Sequence, residues 1–261
     1  MLLFTGLNIA MLRSGDIQGE WPSTNRFIIA GADGVYLHEY APRWSASWRK
    51  HWHLPLHLHV VDPTPADITL AQSCADTVTW NRLDPEWVDS ETKVYTQRTG
   101  RGDDPDKARY IWLAGFYQVS RFWVTGHRIT PSQKAVVTDM DACATRSPSQ
   151  EWLDKLYRRT AFQKYKQRLM ATFGSACGTE QAQWRRYSQE VEHIFNGQQG
   201  DSSVDQRLLK QVFSLEHNRL EHDWCCHHDL RDDPVETRWR SYPVWHLKGL
   251  RGKKVDIAHL V

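Results

Sequence analysis

The sequence lacks any apolar run that approaches the roughly 20 residues of a membrane-spanning helix. Its first twelve residues are only mildly apolar, because Thr5, Gly6 and Asn8 interrupt them. They also lack the basic start and the cleavage site of a secretory signal peptide. We therefore expect neither a membrane-spanning segment nor a signal peptide.

Cysteine is scarce and irregularly placed. A disulfide-stapled secreted domain carries an even set of cysteines at framework spacings. This chain has an odd number, and their spacing is irregular: Cys74, Cys143, Cys177, Cys225 and Cys226. The pattern argues against a disulfide scaffold and predicts a protein of a reducing compartment, which we take to be the cytoplasm.

An excess of one charge sign is also missing. The 33 lysines and arginines nearly balance the 31 acidic residues, so the formal net charge is +2. Charge alone therefore gives no indication of nucleic-acid binding. Internal repeats, low-complexity segments and a convincing linker are absent too. We expect one domain over residues 1–261, long enough to bury a sizeable core.

The early part of the sequence shows an alternation of expected strands and helices. The apolar run Arg26–Ala32 predicts a strand, the aromatic spacing over residues 40–53 predicts a helix, and Leu56–Val61 predicts a second strand. A β-α-β order is typical of parallel strands. The fold class predicted is α/β, with a mixed, mainly parallel central sheet flanked by helices.

The rest of the chain gives further expected elements. A helix beginning at Pro105, with Asp104 as its N-cap, precedes a strand over Lys134–Thr138. A capping-box pattern predicts a helix that starts at Ser147-Pro148. Weaker patterns predict strand pieces at 77–80, 93–95 and 242–245, and helices at 181–195 and 204–215.

Two carboxylates follow the strand Lys134–Thr138. Asp139 and Asp141 are two positions apart, and side chains at this spacing in a strand point the same way. Carboxylates that meet at one point repel each other unless a cation or a shared proton lies between them. Hard oxygen ligands in an incomplete set suit Mg²⁺ or Mn²⁺. We expect exposed loop carboxylates here, and the plain alternative is a solvated acidic turn.

Four segments in this order resemble GT-A-fold glycosyltransferases, most closely the retaining glycogenin and lipopolysaccharide-galactosyltransferase group. They are residues 32–36 (Ala-Asp-Gly-Val-Tyr), Asp139 to Asp141, Asp205 with Gln206, and residues 244–254. The resemblance implies a transfer from a nucleoside-diphosphate sugar, a UDP-sugar above others, to a hydroxyl of an unknown acceptor. A glycan, a protein, a lipid or a modified nucleobase could be that acceptor. The resemblance also implies two halves of the domain. The nucleotide-binding half would cover about 26–145, and the acceptor-side and closing half about 146–261.

The resemblance implies roles for the C-terminal segment. Asp139, Asp141 and His246 would hold Mn²⁺ or Mg²⁺, and Lys248 and Lys253 would contact the donor phosphates. Gly249 would allow the backbone to approach the diphosphate. The family's closing pattern is His-x-x-Gly-x-x-Lys-Pro-Trp, and here the lysine comes one or two positions later, without Pro-Trp. The choice between Lys253 and Lys254 therefore stays open.

The resemblance implies further donor contacts. Asp33 would accept hydrogen bonds from the base or ribose, and Tyr36 would stack on the base. Arg109 would be a basic donor contact, and Asp205 would contact the transferred sugar as a catalytic residue. The plain alternatives are a turn residue for Asp33, a core residue for Tyr36 and a surface arginine for Arg109. For Asp205, the alternative is a capping box with Ser202, in the pattern Ser202-x-x-Asp205.

Two other functions stay open. A haloacid-dehalogenase-type phosphohydrolase also places Asp-x-Asp after a strand, with the first aspartate as nucleophile. Here the motif lies at mid-chain, and Ala142-Cys143 follows it rather than Gly-Thr. A non-enzymatic, zinc-stabilised binding module could use the soft ligands of residues 222–228. Adjacent Cys-Cys-His-His lacks the spacing with which ligands converge on zinc.

Overall fold

The computed structural model describes residues 12–99, 105–165, 168–197, 199–200, 203–214, 217–220, 225–226 and 243–246. Its strands are β1 (Gln18–Gly19), β2 (Arg26–Ala32), β3 (Leu56–Val61), β4 (Thr77–Asn81), β5 (Lys134–Thr138), β6 (Ala142–Ala144), β7 (Ala161–Tyr165), β8 (Arg168–Cys177), β9 (Cys225–Cys226) and β10 (Val244–His246). Its helices are α1 (Gly34–Trp52), α2 (Pro65–Cys74), α3 (Pro85–Thr99), α4 (Pro105–Arg128), α5 (Gln150–Leu156), α6 (Gln181–Asn196) and α7 (Val204–Val212).

A seven-stranded mixed sheet forms the centre, in the order β1-β4-β3-β2-β5-β8-β7. The four inner strands β4, β3, β2 and β5 are parallel, whereas β1, β8 and β7 run antiparallel to their neighbours. The predicted α/β class, with a mixed sheet flanked by helices, is confirmed.

Helices cover both faces of this sheet, so most residues of its inner strands are buried. From Phe27 onward, every residue of β2 is buried. Its alternate side chains enter two separate hydrophobic clusters, one with α1, α2 and α5 and the other with α3, α4, α6 and α7.

The strand order reverses beside β2. The chain passes from β2 through α1 to β3 and through α2 to β4, which moves it toward one edge of the sheet. It then returns past α3 and α4 to place β5 on the other side of β2. Ligands of open α/β sheets bind outside the carboxyl ends of the strands at such a reversal. The residues that follow β2 and β5 are therefore the first place to look for a site.

A second, three-stranded sheet brings the C-terminal segment to this edge. β10 pairs antiparallel with β6 and parallel with β9. The ladder between β10 and β6 aligns His246 with Ala142, one residue after Asp141.

Three expected elements are wrong in detail. Residues 93–95 belong to α3 rather than to a strand, because Trp87, Val88, Glu91 and Tyr95 form a buried stripe at helical spacing. The helix expected at Ser147 begins at Gln150, where Ser149 is the N-cap and accepts a hydrogen bond from the Trp152 amide. The helix expected from residue 40 starts at Gly34, because Asp33 caps it.

None of the helices in the described ranges is long and apolar enough to cross a membrane. The extent of the domain, residues 1–261, stays a prediction, because residues 1–11 and most residues after 220 lie outside the described part.

A buried polar ladder connects β3 and β4. The His57 ring contacts the hydroxyls of Thr77 and Thr79 at 2.9 and 3.0 Å, and the His59 ring contacts Thr79 and Asn81 Oδ1, both at 3.0 Å. Both histidines are completely buried. Burial lowers the pKa of His57 well below its ordinary value and lowers the pKa of His59 to about 3. Both rings are therefore neutral at neutral pH.

We expect this ladder to make the fold sensitive to mild acid. Below the ordinary histidine pKa of about 6.5, the unfolded chain binds protons that the folded chain does not. The free energy of unfolding should therefore fall as the pH drops from 7.5 to 5.5. Urea unfolding of the parent, a His57→Gln/His59→Gln variant and the exposed-site control His193→Gln measures this. The double variant should lose less stability over this range than the other two proteins, and equal losses in all three would contradict the prediction.

Candidate metal centre

The two aspartates that follow β5 lie in a tight turn at the carboxyl edge of the central sheet. The Asp139 amide donates to the Thr172 carbonyl of β8 at 2.9 Å, and the Asp139 carbonyl accepts from the Ala142 amide at 3.2 Å. The turn buries Met140 between the two aspartates. These backbone contacts set the position of both carboxylates.

His246 reaches the same point from the far end of the chain. Its Nε2 lies 3.1 Å from Asp141 Oδ1 and 3.6 Å from Asp139 Oδ2. One ligand atom from each of the three residues lies within 4.8 Å of the other two. The structure thus brings together the three residues predicted to bind a metal, and the pairing of β10 with β6 is what positions His246.

This group has the composition of a divalent-cation site. Two carboxylates and one imidazole are fewer ligands than Mg²⁺ or Mn²⁺ accepts, so water and substrate oxygens would complete the coordination. Among the described residues, the group that could hold a metal contains no cysteine. Residues 222–224 and 227–228 of the zinc alternative lie outside the described ranges.

Neither carboxylate is the exposed loop group that we expected. The Asp139 and Asp141 side chains are only 21% and 14% exposed. The turn lies between two sheets and against α4, rather than in open solvent, because β6 follows it immediately and pairs with β10. The turn is therefore partly buried rather than fully solvated, and its binding of a metal stays a prediction.

Arg121 of α4 is a residue that the sequence interpretation missed. Its Nη2 donates to Asp139 Oδ1 at 2.5 Å and to the Ala171 carbonyl at 3.0 Å, and its Nη1 donates to the Gln118 carbonyl at 2.8 Å. The guanidinium is 1% exposed. The sequence did contain a signal for this residue, because Arg121 lies next to Phe122 within the apolar stripe of α4. An arginine in such a stripe is expected to be buried, and buried arginine is rare unless it is paired.

The charges around Asp141 favour its ionised form. Burial acts to raise the pKa of this carboxyl, but the neighbouring His246 and the more distant Arg121 outweigh it, so the pKa lies below the ordinary value. A carboxylate that stays ionised at neutral pH is the form that binds a cation.

Three tyrosines form a wall beside the metal centre. The Tyr36 ring lies 4.7 Å from the Tyr117 ring and 5.3 Å from the Tyr40 ring, measured between centroids. The pKa values of Tyr40 and Tyr117 are raised, chiefly by burial, and the charge of Asp141 adds to both shifts. Tyr36 is therefore half-buried among aromatic rings, and its stacking on a nucleobase stays a prediction.

Asp33 follows β2, the strand beside β5. Its Oδ1 accepts from the Tyr36 amide at 2.8 Å and so caps α1. Asp33 also lines a cleft of about 700 Å³ that lies at the carboxyl ends of β2 and β3. A pocket of several hundred cubic ångströms is the ordinary size for a small-molecule site.

Asp205 lies in the first turn of α7, and it is 5% exposed. The Tyr187 hydroxyl donates to the Asp205 carbonyl at 3.3 Å, and Tyr187 also experiences the charge of Arg121. Asp205 thus packs against Tyr187 of α6, and its contact with a transferred sugar stays a prediction. The N-cap of α7 is Ser203, which makes no side-chain capping bond. Ser202, which the alternative capping box needs, lies outside the described residues.

The other predicted donor contacts lie elsewhere. Arg109 donates to Asp89 of α3 at 2.6 Å in an exposed ion pair, which is the contact of a surface arginine. Lys248, Gly249, Lys253 and Lys254 lie outside the described residues.

A second cavity, of about 480 Å³, lies at the opposite edge of the sheet and contains none of the predicted site residues. No protein-family model matches the sequence, and no curated protein matches it significantly. The function must therefore be argued from the chemistry of the site itself.

The Arg121–Asp139 pair should contribute strongly to stability. Removing one member of a buried ion pair costs about 3–5 kcal/mol, because the other charge loses its partner. We therefore expect Arg121→Met to lower the free energy of unfolding by about this amount. The matched control is Arg109→Met on the same helix, whose exposed pair with Asp89 should contribute at most about 1 kcal/mol. Urea unfolding of both variants tests this, and equal losses would contradict the assignment.

Proposed function

We propose that this protein is a metal-dependent glycosyltransferase that moves a sugar from a nucleoside-diphosphate sugar to an acceptor hydroxyl, with retention of configuration. The observation that carries the proposal is the convergence of Asp139, Asp141 and His246 at the carboxyl edge of the sheet. The sugar, the acceptor and the retention rest on the resemblance described above.

The chemistry needs a cation at such a point. As the bond between sugar and diphosphate breaks, negative charge builds on the leaving diphosphate, and a divalent cation stabilises that charge. Asp139, Asp141 and His246 would hold Mn²⁺ or Mg²⁺ and leave positions for phosphate oxygens. Arg121 would keep Asp139 oriented, because its guanidinium fixes one carboxylate oxygen and leaves the other toward His246.

The adjoining cleft suits the nucleoside. It lies at the ends of β2 and β3, on the other side of the strand reversal from β5. Neighbouring strands are about 4.8 Å apart, so the end of β3 lies about 10 Å from the end of β5. A nucleoside in the cleft would therefore extend its diphosphate toward the metal centre, and Asp33 would contact the base or ribose.

A cytoplasmic location belongs to this proposal. Cys74, Cys143 and Cys177 are buried free thiols. Such thiols are typical of proteins from a reducing compartment.

The metal site is tested directly by cation binding. We expect Asp141→Asn to weaken Mn²⁺ binding by more than the roughly 10- to 100-fold that loss of an outer contact costs, because the variant loses a ligand charge. Calorimetric titration with Mn²⁺, and with Tb³⁺ whose luminescence nearby tyrosines sensitise, measures it. Asp154→Asn removes an exposed carboxylate of α5 and is the control. Unchanged affinity in Asp141→Asn would show that the three residues do not form a metal site.

Turnover tests the reaction itself. With Mn²⁺ present, we expect the parent to release a nucleoside diphosphate from at least one nucleotide sugar, and Asp141→Asn to release none. The anomeric configuration of the product reports retention. Formation of an aspartyl-phosphate from a phosphate ester would instead favour the phosphohydrolase.

A further inference from the structure

The amino ends of the central strands carry positive charge, at the edge of the sheet opposite the candidate metal centre. Arg26 begins β2 and Lys134 begins β5, and the parallel ladder aligns the two residues. Arg158 and Arg159 lie just before β7, which begins at the same edge. The chain advances five residues along β5 from Lys134 to Asp139, so this edge lies about 16 Å from the candidate metal centre.

Tyr157 brings these four cations into one patch. The Arg26 guanidinium lies 5.1 Å from the centre of the Tyr157 ring. The Tyr157 carbonyl accepts from Cys177 Sγ at 3.3 Å, and Cys177 is the ladder partner of Lys134. The next two residues of the chain are the two arginines. We call this patch the basic edge, and it consists of Arg26, Lys134, Arg158 and Arg159.

The positive charge of the basic edge is not neutralised within the described part of the chain. None of its four cations forms an ion pair with another described residue. Arg26 and Arg158 are exposed, and Lys134 and Arg159 are half-buried. An anion at this surface would therefore meet four positive charges.

Acidic residues near the basic edge are few. Asp76 Oδ1 lies 3.1 Å from Arg49 Nη1, so these two charges offset each other. Glu180 Oε2 accepts from the Thr160 amide at 2.7 Å. Glu20 follows β1, which lies three strand positions from β2, or about 14 Å. The near balance of charge in the sequence thus conceals an amino edge that is basic and a carboxyl edge that is acidic.

The cavity of about 480 Å³ extends this surface toward α1. Thr24 lines the cavity, and its hydroxyl donates to the Arg26 carbonyl at 3.2 Å. Arg49 and His53 from the end of α1 line it as well. The strip from β3 across β2, β5 and β8 to β7 covers four strand intervals, or about 19 Å. Such a strip is as long as about five successive phosphates of one strand of a duplex, at about 3.4 Å each.

The surroundings of the basic edge distinguish among polyanions. A basic patch that holds a lipid surface stably is combined with inserted apolar side chains or a lipid anchor. In the described part of the chain, the exposed large hydrophobic residue is Val35, which lies at the opposite edge. Single-stranded nucleic acids stack their bases on aromatic rings, whereas the Tyr157 ring is 1% exposed beneath Arg26. Contact with a phosphate backbone alone fits this surface best.

We propose that the basic edge binds the phosphate backbone of double-stranded nucleic acid without regard to its sequence. Three of its four cations are arginines, whose forked donors match phosphate oxygens. A duplex held there would leave the candidate metal centre, about 16 Å away, open to a small ligand. This binding surface is independent of the glycosyl transfer proposed above.

The salt dependence of duplex binding tests the proposal. Fluorescence anisotropy of a labelled duplex of about 20 base pairs, titrated with the full chain, measures the affinity. Four phosphate contacts predict a slope of log K against log salt of about −3.6, or roughly 100-fold weaker binding at 200 mM than at 50 mM salt. Two duplexes of unrelated sequence should bind within about 3-fold of each other, because backbone contacts carry no sequence information. No binding at 50 mM salt, or a more than tenfold preference for one sequence, would overturn the proposal.

A matched pair of double variants assigns the binding to this surface. Arg158→Gln with Arg159→Gln should weaken duplex binding at least tenfold at 50 mM salt and reduce the slope by about 2. The control, Arg185→Gln with Arg186→Gln, removes two exposed charges from α6, which packs on the other face of the sheet. It should keep the parent's affinity within about 3-fold. Equal losses in the two double variants would overturn the assignment.

A single variant on another element covers the case in which the double variant does not fold. Arg26→Gln should reduce the slope by about 1, and an unchanged slope would overturn the assignment.

Rival polyanions complete the test. Vesicles of phosphatidylserine with phosphatidylcholine, and polyglutamate, should bind more weakly than the duplex at the same salt concentration. Tighter binding of either would overturn the proposal in favour of a lipid surface or an acidic polypeptide. Because no metal or nucleotide sugar is added, the result does not depend on whether the protein is a transferase.

Discussion

The contact between Arg121 and Asp139 is the constraint on which the candidate metal centre depends. A guanidinium that is 1% exposed must have its charge neutralised and its donors paired, or the fold loses stability. Arg121 pairs its Nη1 and Nη2 with Asp139 and with backbone carbonyls on α4 and β8, while its buried Nε makes no hydrogen bond. Helix α4 and strands β5 and β8 are therefore joined at one point, and that point carries Asp139, the first of the three proposed metal ligands.

The close approach of α4 to the sheet makes this contact possible. A Cβ atom on Gly31 of β2 would lie 3.0 Å from the Tyr117 carbonyl and 3.2 Å from the Arg121 Cβ. Glycine at this position lets the helix lie close to the strand, so the arginine can reach the end of the neighbouring strand β5. Gly31 of β2 thus helps to position the side chain of Asp139, which follows β5.

The sequence predicted the elements whose stabilising interactions lie within a short stretch of the chain. The strands Arg26–Ala32, Leu56–Val61 and Lys134–Thr138 were predicted with their observed bounds, because short apolar runs and period-two alternation are visible within each strand. The convergence of Asp139 with Asp141 follows from their spacing. The hairpin of β7 and β8 was missed, because β8 is stabilised by pairing with the distant strand β5. Arg121 was missed for a related reason, since its partner lies on another element. His246 was found only through the family resemblance, as its contact crosses more than a hundred residues.

The distribution of charge along the carboxyl edge explains why metal and donor would bind together. Asp33, Glu39, Asp62 and Asp67 line the cleft, and Asp139 and Asp141 belong to the candidate metal centre. A diphosphate alone would meet repulsion from both groups. A divalent cation between Asp139 and Asp141 reverses the local sign and attracts the phosphates, so each ligand would raise the affinity for the other. In the proposed reaction, the nucleoside of the donor would lie in the cleft and its diphosphate would point toward the cation. The two regions of the site would thus act on opposite ends of one ligand.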